Sequence, residues 1–264
     1  MKKLFVLLLS CCMLSAAAAP AWEYPLYIKE LHSDINRLVN RDSLLDAKDI
    51  PNDLVEIPLK KASTAPLYGR KIAVDALEKL FAAASEENLT LYVKSAYRSY
   101  ETQNTMYHNR LERNNGKDDQ LVAYPGASEH QSGLAFDVVN LEYAKASGMN
   151  AGFYNSKEGK WLEANCTRFG FVIRYEKDKE DITKIKYEPW HIRFVGQDIA
   201  KYMQEHHLSH EEFTEEWQNY FAEYEALGGS FQTALDFENA AKQPDLEIEE
   251  LEDGETEISV TFKD

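Results

Sequence analysis

A chain of 264 residues can bury a core of its own, and 44% hydrophobic with 12% aromatic content excludes wholesale disorder. A net charge of −16 leaves no basic face for a phosphate backbone, which excludes a nucleic-acid partner. The acidity is uneven, because residues 200–264 alone hold 18 acidic and 3 basic side chains.

Residues 1–21 have the layout of a secretory signal peptide. Lys2 and Lys3 precede the apolar run Leu4 to Leu9, and small residues lead into Ala19-Pro20-Ala21. The apolar run is too short to span a bilayer, and no later segment reaches 18 apolar residues. Export to the periplasm or medium is the expectation, without lipid anchoring at Cys11. Cys11 and Cys12 leave with the leader, so Cys166 stands alone and no disulfide staples the fold. Its place among apolar helix positions predicts a buried small hydrophobe.

Residues 22–65 carry Pro25, Pro51 and Pro58 among short apolar patches and predict an irregular entry segment. Helical spacing of Ile72, Ala73, Ala76, Leu77, Leu80, Phe81 and Ala84 predicts a helix from Gly69 to Asn88. A strand follows over Thr90 to Ser95 and a helix over Tyr100 to Asn114. Residues 118–132 predict a loop with its turn at Pro125-Gly126. Leu134 to Val139 predicts a buried strand, and Trp161 to Phe169 a helix stopped by Gly170. Further strands are predicted at Phe171 to Tyr175 and Tyr187 to Val195. Gly196 to about Leu227 predicts one helix, broken at Gly228-Gly229 and followed by a short one over Phe231 to Ala241. Residues 245–257 predict a solvated acidic run, and Ile258 to Phe262 a last strand. Helices and strands are interspersed without strict βαβ alternation. The expected class is α+β, a small, mostly antiparallel sheet flanked by helices, with a largely helical acidic C-terminal extension.

Chemistry concentrates in a few segments. SEHQSGLAFD, residues 128–137, contains His130 and Asp137, and EPWH, residues 188–191, contains Glu188 and His191. Two imidazoles and one carboxylate suit zinc, and three protein ligands leave a position for water. Glu188 is placed to take a proton from that water, provided a turn or bulge brings it to the side of His191. Gly133 would let the backbone between His130 and Asp137 pass close to the metal or its neighbours. SAYRSYETQ, residues 95–103, carries Arg98, whose planar fork suits a terminal carboxylate. His206, His207 and His210 beside Glu211 and Glu212 offer a second metal-like group, expected to be a solvated face.

These segments closely resemble the VanY-type D-alanyl-D-alanine carboxypeptidases, within the zinc peptidase group that includes VanX-like dipeptidases. Ser128, His130, Gly133, Ala135 and Asp137 meet the family's S-x-H-x-x-G-x-A-x-D stretch, and Glu188, Trp190 and His191 its E-x-W-H stretch. The resemblance runs over about residues 37–207. It implies one zinc ion on His130, Asp137 and His191, with Glu188 as general base. It also implies Arg98 as carboxylate clamp, with Gln103 and Ser128 contributing to substrate binding. The implied substrate is a peptidoglycan stem peptide ending in D-alanine. L,D-carboxypeptidase or D,D-dipeptidase activity of the same fold stays open, as does a non-catalytic zinc-stabilised wall-binding module. The expected organisation is a leader over 1–21, a peptidase domain over 22–207 and an acidic extension over 208–264.

Overall fold

The computed structural model describes residues 19–119 and 121–241, together with the backbone of 245–250 and 256–261. Nearly all of the expected leader, Cys11 and Cys12 included, lies outside the described residues. Among the described residues, no helix is long and apolar enough to cross a membrane. The chain divides into two compact units: Pro25–Asn219, and the segments on either side of it.

In the larger unit, the entry segment forms a short helix α1 (Ile28–Leu31) and a small hairpin of β1 (Leu54–Glu56) and β2 (Tyr68–Arg70). Helix α2 (Lys71–Glu86) follows and buries Ala73, Val74, Leu77, Leu80 and Ala84 along one stripe. That stripe has the spacing seen in the sequence, and each fully buried leucine contributes about 1.5–3 kcal/mol. Strand β3 (Tyr92–Ser95) leads to α3 (Tyr100–Arg113), whose N-cap Ser99 accepts from the Thr102 amide. Next come β4 (Ala135–Val139), α4 (Leu141–Lys145), α5 (Lys157–Asn165), β5 (Phe171–Ile173) and α6 (Glu180–Thr183). Strand β6 (His191–Phe194), α7 (Gln197–Glu205) and most of α8 (His210–Ala226) complete the unit.

The four-stranded sheet has the order β3-β4-β6-β5 with every pairing antiparallel. Strand β4 is buried at all five positions, as its unbroken apolar run around Asp137 requires. Its face packs Phe136, Val138, Ile192, Phe171 and Phe194 against Leu77, Leu80 and Leu162 in one core. Cys166 is buried in that core, where desolvation pushes its thiol up to about 12.

The structure departs from the sequence-based expectations at several points. The expected loop over 118–132 contains a 3-10 turn, Glu129–Ser132. The strand expected from Tyr187 starts only at His191, because β6 is an inner strand and Pro189 has no amide to give a ladder. The single helix expected after Gly196 is two, α7 and α8, the second preceded by Ser209, whose hydroxyl accepts from the Glu212 amide. Gly133 sits at φ +69 as the chain turns from the 3-10 segment into β4. A Cβ there would come within 3.0 Å of Arg70 and Leu54, so the close approach is to the β1–β2 hairpin and not to the side chains of His130 or Asp137.

The smaller unit gathers Trp22 and Tyr24 with the end of α8, helix α9 (Phe231–Ala241) and a hairpin of β7 (Asp245–Glu250) and β8 (Thr256–Thr261). Part of the acidic run over 245–257 thus has strand backbone. The Trp22 ring meets Tyr220 and Tyr224 edge-on at 5.3 and 5.2 Å. Gly228 (φ +94) ends the helix, and Gly229 lies so close to the Tyr224 ring that a Cβ would stand 2.2 Å from it. The break expected at this pair therefore has a steric cause.

Candidate active site

Asp137 lies on β4 opposite His191 at the start of β6 and opposite Ser95 on β3. His130 comes from the 3-10 turn, whose His130 carbonyl accepts from the Arg98 amide at 3.1 Å. The sheet therefore brings four separate chain segments to one place. One oxygen of Asp137 stands 3.5 Å from His130 Nε2, and the other 3.3 Å from His191 Nδ1. The two imidazoles meet edge-on at 4.9 Å. One ligand atom from each of the three residues lies within 4.8 Å of the others, and all three residues are buried.

Glu188 reaches this cluster through a turn. The His191 amide donates to the Glu188 carbonyl at 3.0 Å, and the Glu188 amide to the Tyr175 carbonyl at 3.0 Å. The Glu188 carboxylate ends 3.7 Å from His191 Nδ1. Pro189 excludes helix at Glu188, and the turn supplies the required side-by-side placement instead.

The electrostatics are those of a cation site. Burial alone would raise the Asp137 carboxyl, but His130 and His191 hold it well below the usual carboxylate range. Burial opposes a charge on His191, yet Asp137 and Glu129 push it up to about 9. His130 is lowered by burial. Burial raises Glu188 to about 7, with His191 and Arg98 pulling it back and Asp137 adding to the rise. Asp137 Oδ1 is buried with no hydrogen-bond partner, as an oxygen aimed at an ion would be. Two imidazole nitrogens, one carboxylate and a neighbouring unbound carboxylate fit a zinc ion.

Arg98 lines the same cavity of about 160 Å³, as do Ser128, Glu188 and the two histidines. It donates to Gln103 Oε1 at 2.6 Å and to Ser95 Oγ at 3.0 Å, which aims the guanidinium while leaving donors over. Gln103 is not on the cavity wall. It is almost fully buried, and its amide is spent on Arg98 and on the Ala123 carbonyl at 2.6 Å. Ser128 is on the wall and makes no capping hydrogen bond.

The motifs did not point to the Glu129 network. Glu129 is fully buried and accepts from Arg174 Nε at 2.7 Å and Arg193 Nη1 at 2.9 Å. Arg174 in turn makes a two-point pair with Glu211 of α8, at 2.8 and 2.6 Å. The solvated face expected at His206 to Glu212 holds at His206 and His207, which are exposed, and fails at His210, which is buried. His210 is buried 3.7 Å from Glu129, His207 lies between Glu176 and Asp178, and the His206 ring lies against Tyr202. A larger cavity of about 850 Å³, bordered by Tyr187 and His207, contains none of the predicted site residues.

Residues 67–197 match the family described as VanY, D-alanyl-D-alanine carboxypeptidase. YodJ of Bacillus subtilis (strain 168) is 40% identical over 186 residues, covering 69% of this chain and 67% of YodJ. The chain belongs to the VanY family. The LdcB LD-carboxypeptidase structure is 41% identical with a TM-score of 0.64, covering 67% of this chain and 84% of that one. The D,D-pentapeptidase VanY from the VanB-type resistance cassette, solved as a point variant with Zn(II), is 30% identical with a TM-score of 0.54. It covers 67% of this chain and 97% of that one. All seven predicted site residues fall within the VanY-matched segment.

Proposed function

We propose that this chain is an exported zinc-dependent carboxypeptidase that removes the C-terminal D-alanine from peptidoglycan stem peptides. The observation that carries this is the convergence of His130, Asp137 and His191 with Glu188 beside them in one buried cleft. Arg98 on the same wall adds the feature an exopeptidase needs, a donor fork for a free carboxylate. A non-catalytic wall-binding module would have no use for Glu188 or Arg98, since zinc alone would hold such a fold.

His130 and His191 would hold the zinc through Nε2 and Nδ1, and Asp137 through a carboxylate oxygen. When bound, the ion supplies a Lewis acid for the scissile carbonyl and lowers the pKa of the attacking water. Arg98 binds the terminal carboxylate and so fixes which peptide bond lies beside Glu188. Glu188 accepts the proton of the attacking water and returns it to the departing amine of the terminal residue. Burial raises this carboxyl above its ordinary value and a bound cation pulls it back down, so it can accept and return a proton. Ser95 and Gln103 hold Arg98 in its aim.

The pentapeptide, a D,D substrate, follows from the family resemblance. The greater similarity to LdcB supports a second reading, L,D cleavage of the tetrapeptide. Incubation of the purified protein with each peptide, with and without a chelator, separates them by mass spectrometry. Loss of one D-alanine from the pentapeptide, abolished by chelation and restored by zinc, supports the D,D reading. Cleavage of the tetrapeptide alone moves the specificity to L,D. Failure on both, with zinc bound, removes the carboxypeptidase reading.

A further inference from the structure

The buried carboxylate of Glu129 has one oxygen with no assigned work. Its Oε1 accepts from Arg174 and Arg193. Its Oε2 is buried, has no hydrogen-bond partner and lies 3.5 Å from His191 Nε2. That nitrogen is likewise buried and without a hydrogen-bond partner. The other ring nitrogen, Nδ1, is the one that faces Asp137 and Glu188. A neutral imidazole that gives one nitrogen to a cation carries its proton on the other, and the acceptor for that proton sets the ring's tautomer and orientation.

We propose that Glu129 is a positioning residue for His191, its Oε2 accepting the Nε2 proton so that Nδ1 is presented to the ion. This rests on the zinc reading above. The hydrogen bonds from Arg174 and Arg193 fall on Oε1 alone, so they do not explain why Oε2 is directed at the imidazole. Arg174 is anchored by Glu211, which lies beyond the segment 67–197 that matches the family. The start of α8 thus reaches the site through Glu211, Arg174 and Glu129.

The test compares wild type with Glu129→Gln, Glu129→Asp and Glu211→Gln. Zinc affinity is measured by competition with a chromophoric chelator, alongside melting temperature, kcat and KM, and the visible spectrum of the Co(II)-loaded protein. Glu129→Gln is expected to weaken zinc binding about 10- to 100-fold. It should also lower kcat without raising KM and shift the Co(II) bands. Glu129→Asp, which withdraws the oxygen by one methylene, should lose part of the affinity. Glu211→Gln breaks the same ion cluster without touching His191, so it should lower the melting temperature and keep zinc affinity within about twofold of wild type. Equal destabilisation by Glu129→Gln and Glu211→Gln, with zinc affinity and Co(II) bands unchanged in both, overturns the proposal. If Glu129→Gln does not fold, unchanged affinity in Glu129→Asp overturns it in the same way. Wild-type protein that takes up neither zinc nor Co(II) instead overturns the metal reading beneath it.

Discussion

The Glu188 carboxylate lies 3.7 Å from His191 Nδ1 across a turn that spans Pro189 and Trp190, closed by the His191 amide on the Glu188 carbonyl. A base and a ligand three residues apart would share a face on a helix. Here a proline-containing turn at the mouth of an inner strand does the same work. Glu188→Gln keeps the shape and removes the proton acceptor. It should lower kcat by about 10²- to 10⁴-fold while bound zinc stays near one per chain, as measured by metal analysis. Burial sets the Glu188 carboxyl at about 7 before any cation is added, and a cation at Asp137 and the histidines lowers it. The acid limb of kcat/KM should therefore lie below pH 7. A limb well above pH 7, or zinc lost from the variant, would count against this role.

Arg98 reaches the cleft with Gln103 and Ser95 holding part of its fork. If the remaining donors bind a terminal carboxylate, Arg98→Met should reduce kcat/KM by about 10- to 100-fold, the scale of a charge-assisted hydrogen bond. The wild type should leave the same peptide uncleaved when its C-terminus is amidated. Equal rates on free-acid and amidated peptides would remove Arg98 from substrate binding. Gln103→Leu should repeat a weaker form of the Arg98 defect, because its amide orients Arg98 and the Ala123 backbone.

The candidate ligands stood out by residue type, as two histidines, an aspartate inside an apolar run and a glutamate before proline, but spacing gave each only a weak claim, and the resemblance to the family's two motifs singled them out. The α2 core stripe was legible from its period. Glu129 was not, since a glutamate beside a histidine in a polar segment looks solvated. What buries it are arginines 45 and 64 residues further along, which only the pairing of β5 with β6 brings together. His210 and Glu211 were missed for the same reason: both looked like a polar helix face, and Arg174 and Glu129 turn that face inward. The β1–β2 hairpin left no signal because three-residue strands are too short to show alternation.

The ion cluster predicts how stability responds to acid. Glu211 is held below its ordinary value: burial opposes this, but Arg174 outweighs it by charge and hydrogen bonding. A depressed carboxylate stabilises the fold fully above its unfolded value, near 4.5, and that contribution is lost as pH falls through the lower folded value. Melting temperature should therefore fall below pH about 4.5, with part of the fall missing in Glu211→Gln. At pH 7 the variant should be less stable by roughly 1–3 kcal/mol, because Arg174 keeps only Glu129. Parallel pH–stability curves for the two proteins would show that this pair contributes nothing to the acid response.

Gly133 tests the link between fold and site from the backbone side. It holds φ +69 between His130 and β4, and a Cβ would press on Arg70 and on Leu54 of the β1–β2 hairpin. Arg70 cannot retreat freely, since it is paired with Asp53 at 2.9 Å and Asp34 at 2.8 Å. Gly133→Ala therefore adds a left-handed backbone penalty to a contact that has little room to give, costing about 1–3 kcal/mol in total. The strain falls three residues from His130, so zinc affinity should drop together with melting temperature. Gly116, also left-handed at φ +77 but with no atom within 4 Å of its would-be Cβ, provides the comparison. Gly116→Ala should show the smaller backbone cost alone and leave zinc affinity as it was. If the two variants lose stability equally, backbone conformation decides the cost at Gly133 and the contact with Arg70 and Leu54 adds nothing.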